Sequence, residues 1–96
     1  MGNYTTSAAA ERDLREIFRY IAREKSRTRA RSFLRSLETT MQRLADSPGI
    51  GSDRSYLAPD LLGFPKGKYI IFYQKKGDDI QIVRVLHGRR DIENLF

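Results

Sequence analysis

The sequence predicts an α+β domain of order β-α-α-β-β-β, a helical hairpin laid on one face of a small, mainly antiparallel sheet. Three observations carry that expectation. Two successive segments place their apolar residues at helical spacing. Ser47-Pro48-Gly49 then ends the second one, because proline cannot continue a helix and glycine permits the turn. Beyond residue 60 the apolar period shortens to two and is broken by a polar, glycine-containing turn, as in a hairpin. Helices followed by strands pack as two layers about one core, and 96 residues make one domain, residues 1–96.

The elements follow in order. Asn3-Tyr4-Thr5-Thr6 is a short β-prone opening. Ser7 is an N-cap, since its hydroxyl can accept a free amide of the first helical turn. Ala8 to Glu24 then carries Ala10, Leu14, Ile17, Phe18 and Ile21 on one face and Arg12, Arg15, Arg19 and Arg23 on the other. Lys25-Ser26-Arg27 breaks the pattern, and Thr28 is the expected cap of a second helix. Its stripe runs through Ala30, Phe33, Leu34, Leu37, Met41, Leu44 and Ala45, so the two helices pack as a hairpin. Residues 50–60 read as an ordered loop and Leu61–Phe64 as a short strand. Tyr69–Gln74 is apolar on both faces and therefore central in the sheet. Lys75–Asp79 makes a turn into the strand Ile80–Leu86, and Asp91–Phe96 makes a short closing helix or an extended tail. Phe64 and Phe72 are expected in the core, with the exposure of Tyr56 and Phe96 open.

Composition narrows the function classes. Lysine and arginine number 18 against 12 acidic residues, giving a net charge of +6 and a pI near 10.0. Residues 1–45 hold ten basic and five acidic side chains, and residues 46–96 hold eight and seven, so the excess lies on the helices. Such a field favours an acidic partner, either a nucleic acid or an acidic protein segment, although a solvated helix face accounts for it as well. The absence of cysteine excludes disulfides, cysteine–zinc sites and thiol catalysis, and suits a reducing cytoplasm. No apolar run approaches the roughly 18 residues that span a bilayer, and the first residues lack the features of a signal peptide. A cytoplasmic protein without membrane contact is expected. Its small core would gain stability from a partner that covers apolar surface.

Two polar constellations could carry chemistry. The first is Val85-Leu86-His87-Gly88-Arg89-Arg90-Asp91, at the end of the last strand. A histidine can shuttle protons at neutral pH and neighbouring arginines can hold phosphate. The plainer reading is a hydrogen-bonded histidine at the sheet edge with local ion pairs. The second is Lys66-Gly67-Lys68-Tyr69, which can bind phosphate through charge and amides but reads more simply as a polar turn. Aromatic residues interleaved with basic ones can stack on bases, although most fall at core positions. No metal-ligand cluster, serine–histidine–acid spacing or paired-carboxylate motif is present, so neither metal nor cofactor is expected.

The order of motifs goes further. Tyr4 followed by Ala9-Ala10-Glu11-Arg12-Asp13-Leu14-Arg15-Glu16-Ile17-Phe18-Arg19-Tyr20-Ile21 resembles the opening of ParE-type toxins of the RelE/ParE superfamily. Leu44-Ala45-Asp46-Ser47-Pro48-Gly49-Ile50-Gly51 is similar to their second-helix end, and Tyr69–Tyr73 and Ile82–Asp91 to their last two strands. The resemblance covers nearly the whole chain. It implies a toxin of a type II toxin–antitoxin system that causes growth arrest by binding DNA gyrase and trapping its cleaved-DNA intermediate, without catalysis. It also implies a ParD-like antitoxin with a disordered C-terminal segment, which the basic excess of residues 1–45 predicts to be acidic. That segment would wrap against the helical hairpin and the sheet, with Arg12, Arg15, Arg19, Arg31 and Arg35 as its contacts, and DNA would be reached only through the antitoxin complex. The target-binding residues implied are His87, Arg89, Arg90, Asp91 and Phe96. RelE-type members instead cut messenger RNA on the ribosome; in that reading His87 is the base, with Arg89, Arg90 and Lys68 about the phosphate. Ile70 stands where such a nuclease has an arginine, Phe96 lacks a hydroxyl, and Leu61 to Phe64 supply no lysine pair. A third reading is a non-toxic relative that serves only as an interaction or DNA-binding partner. For the first reading, truncation after Arg90 is expected to abolish toxicity and leave the fold.

Overall fold

A computed structural model describes residues 2–96. Strand β1 spans Tyr4–Thr6, helix α1 Ala8–Glu24 and helix α2 Arg27–Asp46. After a 3-10 turn at Pro48–Ile50 come strands β2 (Ser52–Asp53), β3 (Leu62–Lys66), β4 (Tyr69–Lys76) and β5 (Asp79–His87), and a second 3-10 turn at Ile92–Leu95. The sheet order is β1-β5-β4-β3-β2, with β1 parallel to β5 and every other pair antiparallel. The expected mainly antiparallel sheet is therefore present, with β4 in its middle. The loop 50–60 also contains β2, a two-residue strand too short to leave a periodic signal.

Ser7 caps α1 as expected, accepting the Ala10 amide at 3.0 Å. The cap of α2 is Ser26 rather than Thr28: Ser26 is extended and its hydroxyl accepts the Arg29 amide at 3.1 Å, placing Thr28 inside the helix. An earlier cap shortens the interhelical link to Lys25 and Ser26. Similarly, the expected five-residue turn after β4 is only Gly77-Asp78, because Lys76 and Asp79 already pair across the strands. Gly67-Lys68 joins β3 to β4 in the same way. In both turns the glycine comes first and alone has positive φ, +63° at Gly77 and +60° at Gly67, the pattern of a type II′ hairpin.

The helices cover one face of the sheet. Ala10, Ile17, Leu37, Met41 and Leu44 meet Ile71, Tyr73, Ile80, Ile82 and Val85 there, with Phe64 half-buried at the margin. The opposite face is covered as well, as the doubly apolar β4 requires. Leu61, Phe72 and Leu86 form a second cluster, roofed by Leu57 and Ala58 of the loop and by Ile92, Leu95 and Phe96 of the tail. The Phe72 and Phe96 rings meet edge-on at 5.0 Å. Truncation after Arg90 would uncover this cluster, so it cannot leave the fold untouched.

A bulge in β5 re-aims its side chains. Phe72 pairs with Arg84 and Tyr73 with Ile82, so Val83 is extra. Ile82 and Val85 consequently face the helices while Val83 and Leu86 face the other way. Beyond Thr6, β1 no longer covers the edge of β5. Ser7 closes the first part, its hydroxyl donating to the Val83 carbonyl at 2.7 Å. Asp13 closes the next: its carboxylate accepts the Val85 amide at 3.0 Å and a two-pronged contact from Arg84, Nε at 2.8 Å and Nη2 at 3.0 Å. The pair raises the Arg84 guanidinium further above its ordinary value, chiefly through the hydrogen bond to Asp13. Arg84 also reaches the Leu95 carbonyl through Nη1 at 3.3 Å.

Asp13→Asn is expected to cost about 3 kcal/mol, because removing one partner strands the other charge in a partly buried place; chemical denaturation with unchanged slope measures it. Tyr73 supplies a second test. Its ring is buried, and its hydroxyl donates to the Pro48 carbonyl at 2.8 Å and accepts the Gly51 amide at 2.9 Å. Burial raises its pKa above 10.0, with the Gly51 bond opposing. The folded state therefore holds this proton more tightly than the unfolded chain. The stability it contributes is complete below pH 10 and declines as pH rises toward the folded value. Tyr73→Phe should cost about 1–3 kcal/mol at neutral pH and flatten the alkaline decline in stability.

Candidate functional site

The sheet end where β5 stops brings together much of the polar chemistry. His87 closes β5 beside the start of β4, its ring 5.4 Å from that of Tyr69 and nearly perpendicular to it. Phe33 of α2 meets the same tyrosine at 5.5 Å. Burial raises the Tyr69 pKa, with Tyr20 adding to the effect. A cleft of about 310 Å³ opens here between α1 and the sheet, and His87, Lys68, Arg90, Glu16, Tyr20 and Tyr69 are among its walls. Three of the four residues proposed for a nuclease thus share one cleft. The fourth, Arg89, is exposed and does not line it.

The local backbone determines what His87 can do. After His87 the chain turns back, with the Gly88 amide on the Lys68 carbonyl at 2.9 Å and the Arg90 amide on the His87 carbonyl at 3.1 Å. In the same turn the Arg89 amide donates to His87 Nδ1 at 3.1 Å. An amide can only donate, so the ring's acceptor nitrogen is taken by its own turn, and in the neutral ring the proton sits on Nε2.

The remaining target-binding candidates divide by exposure. Asp91 is exposed, and its carboxylate accepts the Asn94 side-chain amide at 2.5 Å. Phe96 is half-buried against Phe72 rather than presented to solvent. On the helices, Arg12, Arg15, Arg19, Arg31 and Arg35 are all exposed. Only Arg15 and Arg19 flank a shallow apolar groove, about 220 Å³, floored by Leu14, Phe18 and Leu34. Among the described residues there is no group of acidic, histidine or cysteine side chains able to hold a metal, and no helix is long and apolar enough to cross a membrane.

Two features escaped the sequence. The Asp13–Arg84 pair left a trace: Asp13 falls on the apolar face of α1 between Ala10 and Ile17, and Arg84 interrupts an apolar strand. Arg54 left none. Its side chain lies over Gly63, 3.0 Å from where a Cβ would be, and it lines a further cleft beside Tyr56 and Arg90.

Comparison with known proteins agrees with this architecture. Residues 4–92 match the family described as the ParE toxin of the type II toxin–antitoxin system, parDE. Toxin ParE of Escherichia coli is 34% identical over 93 residues, 96% of this chain and 90% of that one. Toxin ParE3 of Caulobacter vibrioides is 30% identical over 92 residues, covering 96% and 92%. Toxin ParE1 of Mycobacterium tuberculosis is 32% identical over 91 residues, covering 94% and 93%. A solved structure described as the chromosomal ParDE TA system from P. aeruginosa superposes with a TM-score of 0.76 at 18% identity, covering 91% of this chain and 96% of that one. With the family matched along nearly its whole length and relatives at 30% identity or above, the chain belongs to the ParE toxin family of type II toxin–antitoxin systems.

Proposed function

We propose that this toxin arrests growth by binding DNA gyrase and holding its cleaved-DNA state, not by catalysis, and that a ParD-like antitoxin neutralises it. The observation that carries the reading is the state of His87. Its acceptor nitrogen is already engaged by the Arg89 amide, so it has no free lone pair with which to take a proton from a ribose hydroxyl. Two neighbouring facts point the same way. Ile70 and Phe96, at positions where a nuclease of the superfamily would carry an arginine and a base, both pack against the cluster of Leu61, Phe72 and Leu86. A poison needs only a difference in affinity between two states of its target. Exposed Arg89, Arg90 and Asp91 at the turn beyond β5 are suited to supply it.

The antitoxin side rests on the helical hairpin. Leu14, Phe18 and Leu34 form an apolar floor and Arg15 and Arg19 stand at its edge. An amphipathic segment with acidic flanks fits both, and would order as it binds. A second reading, ribosome-dependent RNA cleavage, draws on one observation: His87, Lys68 and Arg90 line a common cleft.

Gyrase assays separate the two. With purified toxin, supercoiling of relaxed plasmid should fall and double-strand breaks should accumulate on denaturation, while Arg89→Ala together with Arg90→Ala should weaken the effect by about tenfold or more. Intact gyrase function alongside messenger RNA cut in the ribosomal A site would transfer the activity to the second reading. For the antitoxin, affinity should fall as salt rises, and Arg15→Gln with Arg19→Gln should slow association; salt-insensitive binding to a neutral or basic segment would contradict the charge match.

A further inference from the structure

The far side of the turn after β5 carries a second cleft, about 240 Å³, on the sheet face away from the helices. Arg54, Tyr56 and Arg90 are among its walls, with Asp91 and Glu93 at the tail side. We propose that it is a docking site for single-stranded nucleic acid, in which Tyr56 stacks on a base and Arg54 and Arg90 hold the adjoining phosphate. The contact is direct and stands whether or not gyrase is the toxin's target.

Arg54 is built into place. Its amide donates to the Leu61 carbonyl at 2.8 Å, and its carbonyl accepts the Leu57 amide at 2.9 Å. Asp53 tightens the same loop by accepting both the amide and the hydroxyl of Ser55. The absence of a Cβ at Gly63 leaves room for the side chain, since a Cβ there would stand 3.0 Å from Arg54 Cγ and Nε and displace them by a few tenths of an ångström. Nη1 donates to the Tyr56 hydroxyl at 3.0 Å, which aligns the two side chains. Arg54 Nε is nevertheless the one buried side-chain polar atom without a partner among the described residues. Nε itself is buried and out of an anion's reach, so a phosphate in the cleft would be met by the Nη groups of the guanidinium fork.

Tyr56 supplies the second half. It is 68% exposed, the most exposed large aromatic of the chain, although its loop neighbour Leu57 packs on the apolar cluster below. Aromatic rings beside arginines accept any base by stacking while the cations track the backbone. Charge also explains why the site takes one phosphate and not a run of them. The Asn94 amide orients the Asp91 carboxylate without neutralising it, so Asp91 and Glu93 together would repel a second phosphate.

The test is fluorescence anisotropy of labelled oligothymidylate and oligouridylate, each about ten nucleotides long, titrated with the full chain at several salt concentrations. Tyr56→Leu, a surface change, should weaken binding by about 5- to 100-fold. Arg54→Gln combined with Arg90→Gln should lower the salt slope by about 0.7, the share of one phosphate, and Glu93→Gln should tighten binding. Circular dichroism of each variant verifies its fold; the Tyr56 and Glu93 variants keep the proposal falsifiable if Arg54→Gln unfolds. Binding of either strand through Tyr56 upholds the site, and the tighter of the two names its natural ligand. No binding by the wild-type chain, an unchanged affinity in Tyr56→Leu, or an equal loss in Arg12→Gln with Arg31→Gln would overturn it, the last because general positive charge would then suffice.

Discussion

The Asp13 carboxylate is the constraint on which much of this small fold depends. It is 6% exposed and bears a charge that burial opposes. What offsets that cost is a set of three donors, two from Arg84 and one from the Val85 backbone. Each donor does structural work of a different kind. The Val85 amide lies on the open edge of β5 beyond Thr6, where no neighbouring strand supplies an acceptor. The guanidinium, turned sideways by the bulge at Val83, fixes α1 along the sheet. Through Nη1 it also takes hold of the Leu95 carbonyl, so the tail that roofs the second apolar cluster is attached to the same carboxylate.

That arrangement sets the stage for residues 87–91. The strand ends at His87, the chain reverses over Lys68, and Arg90 stands between two clefts of different character. One is walled by tyrosines and the α1 helix, the other by the Arg54 loop and the tail. The turn satisfies His87 internally and leaves Arg89 exposed, a division suited to recognition more than to proton transfer.

Much of this was legible in the amino-acid order because it rests on local signals. Helical stripes, Ser7 as a cap, Ser47-Pro48-Gly49 as a stop and the doubly apolar Tyr69–Gln74 each state their role within a few residues. The misplacements were local as well: Ser26 and Thr28 are both acceptable caps, and tertiary pairing of Lys76 with Asp79 shortened a turn whose composition suggested a longer one. What could not be read was anything that depends on two distant segments meeting across the sheet. Phe96 folding onto Phe72, and Arg54 settling over Gly63, require the register of β3, β4 and β5 to be known. Asp13 and Arg84 were visible as polar intrusions in apolar patterns, but each alone looks like an exception; only together do they explain one another.

The parallel pairing of β1 with β5 has a temporal meaning. Asn3 bonds to Asp79 and Ile80, and Tyr4 lies beside Ile80, across a separation of 76 residues. During synthesis the first strand therefore has no neighbour until the last has been made. Helices α1 and α2 can form as they emerge, since their contacts are local, but the sheet edge they must pack against does not yet exist. Closure must wait for β5, and until that strand is made the helical stripes lack the platform they pack on.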